Sequence, residues 1–230
     1  MEDINILYED NHLIAINKST SDLVQGDKTG DETLADKIKR YIKVKYNKPG
    51  DVFLGVVHRL DRPVSGVVIY ARTSKALARM NKIFQDREVD KIYWAVVKQQ
   101  PEKPEDKLVH WLVRIQKQNK SYAYESERKD AKKAILSYRT LSILTNYSLL
   151  EVKLETGRHH QIRSQLAKIG SPIKGDLKYG FARSNPDGGI SLHARQVQFI
   201  HPVQKKEITI TADPPKNDNL WNAFMETITD

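Results

Sequence analysis

The sequence contains no cysteine. That one absence excludes disulfides, thiolate metal sites and cysteine nucleophiles. No apolar run comes near the roughly 18 residues needed to span a bilayer. The first ten residues, MEDINILYED, are acidic where a secretory leader would carry cations and then an apolar stretch. A cytoplasmic protein without a membrane segment is expected. No low-complexity tract, solenoid-period repeat or compositional shift divides the chain. Its residues 1–230 are therefore expected to form a single domain, with 39% apolar content to build a core. Carboxylates are in short supply: 29 Asp and Glu face 38 Lys and Arg, a net charge of +9 that favours polyanionic partners.

What is present alternates strand and helix signals. Ile4, Ile6 and Tyr8 alternate with polar residues before a turn and LIAINK, which predicts a hairpin. From Asp31 as N-cap, Leu34, Ile38, Tyr41 and Ile42 mark one face of a helix that stops before Asn47-Lys48-Pro49-Gly50. VVIYA reads as a buried strand, the Leu77, Met80, Ile83 and Phe84 stretch as a helix started near Ser74, and KIYWAVV as a strand again. AILSYRTL and YSLLEVKL form a second hairpin about Thr145-Asn146. HQIRSQLAKIG then reads as a helix begun at Thr156 or Gly157 and ended by Gly170, ISLHARQVQFIHP and KEITITA as strands, and LWNAFMETI as a closing helix. The class this predicts is α+β around a largely antiparallel sheet.

The segment GVVHRLDRPVSG, residues 55–66, sets one carboxylate, Asp61, between Arg59 and Arg62. Pro63 removes a backbone donor and disfavours helical angles at Arg62, so the segment reads as a loop. Flanking guanidinium groups favour the ionised carboxylate, which suits a nucleophile, a base or a plain salt bridge and argues against a proton donor. In TGRHHQIR, residues 156–163, neighbouring histidines on a helix point about 100° apart, which does not suit chelation. Arg163 is instead a cation available to a carboxylate or phosphate. Ser65 lies near His58 and Asp61, but no G-x-S-x-G elbow surrounds it. The basic run from Arg114 to Lys133 reads either as a solvated face or mobile loop, or as a contact for an anionic partner.

HRLDRPVSG, KIYWAVV, ETGRHHQIRSQLAKIGSPIKGDLKYG and LHARQVQFIHP, in this order, resemble the signature motifs of the RluA family of RNA pseudouridine synthases, over residues 8–212. The resemblance implies a mixed, mainly antiparallel central sheet flanked by helices, with an active-site cleft across the sheet. It implies isomerisation of uridine to pseudouridine in a structured ribosomal or transfer RNA stem-loop by a monomer needing no cofactor and no metal. By similarity Asp61 would be the nucleophile toward a flipped-out uridine, Tyr93 would stack on the base and assist proton removal from C5, and Arg163 would pair with Asp61. Arg59 would displace the target nucleotide, Arg62 would serve substrate binding beside it, and Leu192 would line the base pocket. The family's Lys-Pro-x-Gly is here Lys18-Ser19-Thr20-Ser21, Pro63 and Val64 replace more typical polar residues, and His159 stands where Thr or Lys is usual. The small N-terminal RNA-binding domain of many relatives is not expected. The rival reading is a non-catalytic RNA-binding or folding module of the same fold, which would have no need of Asp61, Tyr93 and Arg163 together.

Overall fold

The structure, a computed structural model, describes residues 4–26 and 30–229. Its first half runs β1 (Ile6–Glu9), β2 (Leu13–Lys18), α1 (Leu34–Lys45), β3 (Gly55–Val56), β4 (Ser65–Ala71), α2 (Ser74–Gln85) and β5 (Val89–Val97). The second half continues with β6 (Glu105–Ile115), β7 (Lys120–Tyr124), β8 (Lys132–Ile143), β9 (Ser148–Leu154), α3 (Gln161–Lys168), β10 (Leu192–Ile200), β11 (Glu207–Thr211) and α4 (Asn219–Thr229). The chain thus adopts the expected α+β class, a mainly antiparallel sheet with flanking helices. It divides into two compact units, Met1–Val89 with Ala194–Pro214, and Asp90–His193 with Pro215–Asp230.

In the first unit the strand order is β1-β2-β4-β10, with β3 pairing β4 and β11 pairing β10. Period-two alternation sends Leu13 and Ala15 of β2 to one face and Ile14 and Ile16 to the other. α2 covers the first face with Ala76 and Met80, and α1 covers the second with Leu34, Ile38 and Ile42. A strand covered on both sides needs apolar residues at every position. β4, SGVVIYA, is accordingly buried along its whole length. The cap of α1 is Thr33 rather than the expected Asp31. Its hydroxyl accepts from the Asp36 N–H while Asp36 reaches back to the Thr33 N–H, the reciprocal arrangement that satisfies two orphan donors. At the start of β4, Gly66 has φ +113°, and a Cβ there would lie 2.3 Å from the Ala194 carbonyl oxygen of β10. Only glycine permits that approach.

In the second unit the order is β5-β9-β8-β6-β7. α4 packs Trp221 and Phe224 against Trp94, Val96 and Leu149. α3 lies against β6 and β7, its buried Gln165 donating through Nε2 to the Leu108 carbonyl at 3.3 Å and lying 2.9 Å from His110 Nδ1. α3 begins at Gln161 behind His160 in the left-handed region (φ 52°), so Thr156 and Gly157 precede the helix instead of starting it. They form a turn in which the Thr156 hydroxyl and the Arg158 N–H both donate to Gln161 Oε1, at 2.7 and 2.9 Å. The basic run is strand for most of its length, in the end of β6, β7 and the start of β8, with a 3-10 turn at Gln116–Gln118 and a loop over residues 125–131 that carries Arg128 and Lys129.

Candidate active site

In the first unit Asp61 lies in the loop between β3 and β4, half-buried, with Arg59 and Arg62 exposed beside it. What holds this loop is Lys18, the last residue of β2, only 1% exposed. Its ammonium donates to the carbonyls of Ser19, Arg62 and Val64 at 2.6, 3.0 and 2.7 Å. All three of its protons are thereby used. Two of the three acceptors bracket Pro63, so Lys18 fixes the chain immediately after Asp61. Burial pushes the Lys18 ammonium down to about 8, against the opposing pull of Asp22 and Asp61. The Asp61 carboxylate is thus within electrostatic range of a buried cation. Arg62 turns its guanidinium to Asp31 at 2.8 Å. His58 also works for the loop: its Nε2 accepts from the Ile69 N–H at 3.2 Å and its ring stacks on Phe84 at 5.0 Å. A nitrogen occupied in that way is a poor base for Ser65, itself buried at the head of β4.

In the second unit Arg163 of α3 is 5% exposed. Its Nε and Nη2 donate to the two carboxylate oxygens of Asp176 at 2.7 and 2.8 Å, the parallel-fork geometry open to Arg and not to Lys. Its Nη1 lies 3.1 Å from His160 Nε2. A guanidinium can only donate. His160 therefore accepts at Nε2, and its ring proton sits on Nδ1, 2.9 Å from the Tyr179 oxygen. That phenol oxygen also accepts the Ser121 N–H at 2.9 Å, and the Tyr179 ring lies under the Arg163 guanidinium at 5.1 Å. Arg163 is a clamped, buried cation with a fixed orientation. His159 stacks on His160 at 3.8 Å and its Nδ1 meets Ser121 Oγ at 2.8 Å, so the paired histidines buttress α3 against β7. Tyr93 is half-buried on β5, paired in register with Val152 of β9. Leu192 is buried at the start of β10.

Sequence reasoning passed over Lys18, His160, Asp176 and Tyr179 as site residues. The Lys18 position was marked by the departure from Lys-Pro-x-Gly, and Asp176 and Tyr179 by their place in GDLKYG. No local pattern shows that a lysine closing a strand points inward, or that an aspartate thirteen positions along the chain closes a fork with Arg163.

Comparison with known proteins bears on what these groups serve. Residues 12–168 match the family model described as RNA pseudouridylate synthase. Among curated proteins the chain is similar to tRNA pseudouridine synthase C of Vibrio vulnificus, at 28% identity over 97% of this chain and 94% of that one. It is likewise similar to ribosomal large subunit pseudouridine synthase D of Xanthomonas campestris pv. campestris, at 32% identity over 97% of this chain and 70% of that one. Among solved structures it shares its fold with human RNA pseudouridylate synthase domain containing 4, with a TM-score of 0.80 and 22% identity over 98% of this chain and 93% of that one.

Proposed function

Because the chain belongs to the RNA pseudouridylate synthase family, with the motifs of its RluA members, we propose that it isomerises uridine in a stem-loop of transfer or ribosomal RNA in the cytoplasm, using Asp61 as the nucleophile toward a base swung out of its stack. The reaction breaks the bond from C1′ to N1 and forms one from C1′ to C5. The proton lost from C5 is balanced by the one gained at N1, so the stoichiometry calls for no co-substrate. The two RNA classes come from the names of the relatives, one a transfer RNA enzyme and the other a ribosomal one.

The observation that best supports Asp61 is the way Lys18 holds its loop. A nucleophile must be aimed, and a buried ammonium that ties down the Arg62 and Val64 carbonyls fixes the chain that carries it. In this reading Tyr93 faces the extruded base and assists loss of the C5 proton, and Leu192 lines the base site. Arg163 is the catalytic cation, kept rigid by Asp176. The exposed Arg59 takes the place left by the base, and Arg62 contacts the RNA near it. Extruding a base costs a few kcal/mol of unstacking, least where it is already unpaired, which favours a loop target.

The test is Asp61→Asn, which preserves shape and removes the attacking charge. Pseudouridine formation is expected to fall by about 10³-fold or more, with RNA affinity and the unfolding midpoint near wild type. Product formed at more than a trace would rule out Asp61 as nucleophile.

A further inference from the structure

β6 and β7 present an outward face that the chemistry above leaves unused. Their register sets Trp111 opposite Tyr124 and Val113 opposite Tyr122, with Ile115 and Val109 continuing the same side of β6. Val109, Ile115 and Tyr122 are exposed, and Trp111, Val113 and Tyr124 are half-buried. α3 packs on the opposite side, where Leu108, His110 and Leu112 point. Tyr93 is on that opposite side too. It pairs with Val152, Val152 with Tyr138 and Tyr138 with Asp106, whereas Trp111 has the parity of Lys107. An exposed aromatic and aliphatic strip of this kind marks an interaction surface.

The charge around the strip points to its occupant. From Lys107 to Tyr124 there is no Asp or Glu; Glu125, Glu127 and Asp130 follow in the loop that carries Arg128. Lys120 lies 5.1 Å from the Tyr122 ring, Arg128 lies 3.6 Å from the Tyr124 ring, and Lys133 lies 6.0 Å from the Trp111 ring. No carboxylate of the described residues is ion-paired with any of the three. Aromatic rings interleaved with cations fit successive bases and phosphates of an unpaired strand.

We propose that the outward face of β6 and β7, with Trp111, Tyr122 and Tyr124 as stacking platform and Lys120, Arg128 and Lys133 as phosphate contacts, binds a single-stranded segment of the substrate RNA away from the nucleotide that reacts. This rests on the reading of the chain as an RNA-modifying enzyme. It also divides the basic run: Lys120 and Lys133 belong to the surface, while Lys132, opposite Leu112, points to the other side.

Tryptophan emission tests the platform directly. Of the three tryptophans, Trp94 and Trp221 are buried and Trp111 is half-exposed. Titrating a short mixed-sequence single-stranded RNA should quench the emission, and Trp111→Phe should abolish the quench. Tyr122→Ala, at an exposed position, should weaken binding roughly ten-fold, the usual effect of losing one stacked base. Lys120→Gln and Lys133→Gln should each lower the log-log salt slope by about 0.7. Pseudouridine formation is followed on the same wild-type preparation, so the two readings fail separately. Product without a Trp111 quench overturns the surface alone; a Trp111 quench without product overturns the enzymatic reading alone. Unchanged affinity and slope in all the variants overturns the surface, as does a face that instead mediates self-association in sedimentation or binds anionic phosphatidylserine vesicles.

Discussion

Lys18 and Arg163 show how single cations are fixed, and by opposite means. Lys18 is buried against neutral carbonyls and its pKa falls to about 8, well under the ordinary lysine value of 10.5. Between those two values the unfolded chain binds more protons than the native one, so the contribution of this group to stability rises with pH across about 8 to 10.5. Activity should move the other way. A neutral amine keeps only two protons for three carbonyls and holds the Asp61 loop less firmly, so turnover is expected to decline above about pH 8 while urea midpoints do not fall. Lys18→Met should lower turnover throughout and flatten that alkaline limb; an unaltered limb in the variant would assign it to another group. Arg163, in contrast, is held by a buried carboxylate in a two-point fork. Arg163→Lys keeps the charge and loses one charged hydrogen bond, worth about 2 kcal/mol of stability. Misplacing the cation should lower kcat by about 100-fold, with RNA affinity little changed. Lost affinity with normal turnover of bound RNA would make Arg163 a phosphate contact instead.

Among the elements, β4 carries the Asp61 loop into the core, and its entry depends on one residue. Gly66→Ala would drive a methyl group into the backbone of Ala194 at a φ that disfavours side chains. We expect a loss of about 2–4 kcal/mol, read as a lower urea midpoint, together with reduced turnover because the loop is displaced. A wild-type midpoint would show that β4 and β10 separate at little cost. β6 and β7 teach a different lesson. Both outward Val109, Trp111, Val113 and Ile115 and inward Leu108 and Leu112 are apolar or aromatic, so β6 lacks the clean alternation that identifies a strand with one wet face. The hairpin turn is made by Asn119 with φ 44° in place of a glycine signal. The start of α3 was misplaced for a similar reason: a left-handed histidine opens the helix where Thr and Gly stand just upstream.

For the whole molecule, the net charge of +9 was plain from composition, but composition does not say where the surplus lies. Many cations are spent inside the fold or on carboxylates, Lys18 on carbonyls, Arg62 on Asp31, Arg163 on Asp176. Others lie over rings on β6 and β7. The first unit combines segments of chain separated by more than a hundred residues, a topology that no window of sequence reveals.

The sequence by itself determined the fold class, the order of most elements, the family and the loop that presents Asp61. These follow from local periodicity, from Pro and Gly at turns, and from motifs whose residues are neighbours along the chain. Only the tertiary structure decided which partners those residues have. The burial of Lys18, the fork between Arg163 and Asp176, the proton position on His160 and the aromatic face of β6 and β7 all depend on which side chains strand register and helix packing bring together. Desolvation and hydrogen-bond geometry act on distances in space, and the chain order leaves those distances open until the sheet has formed.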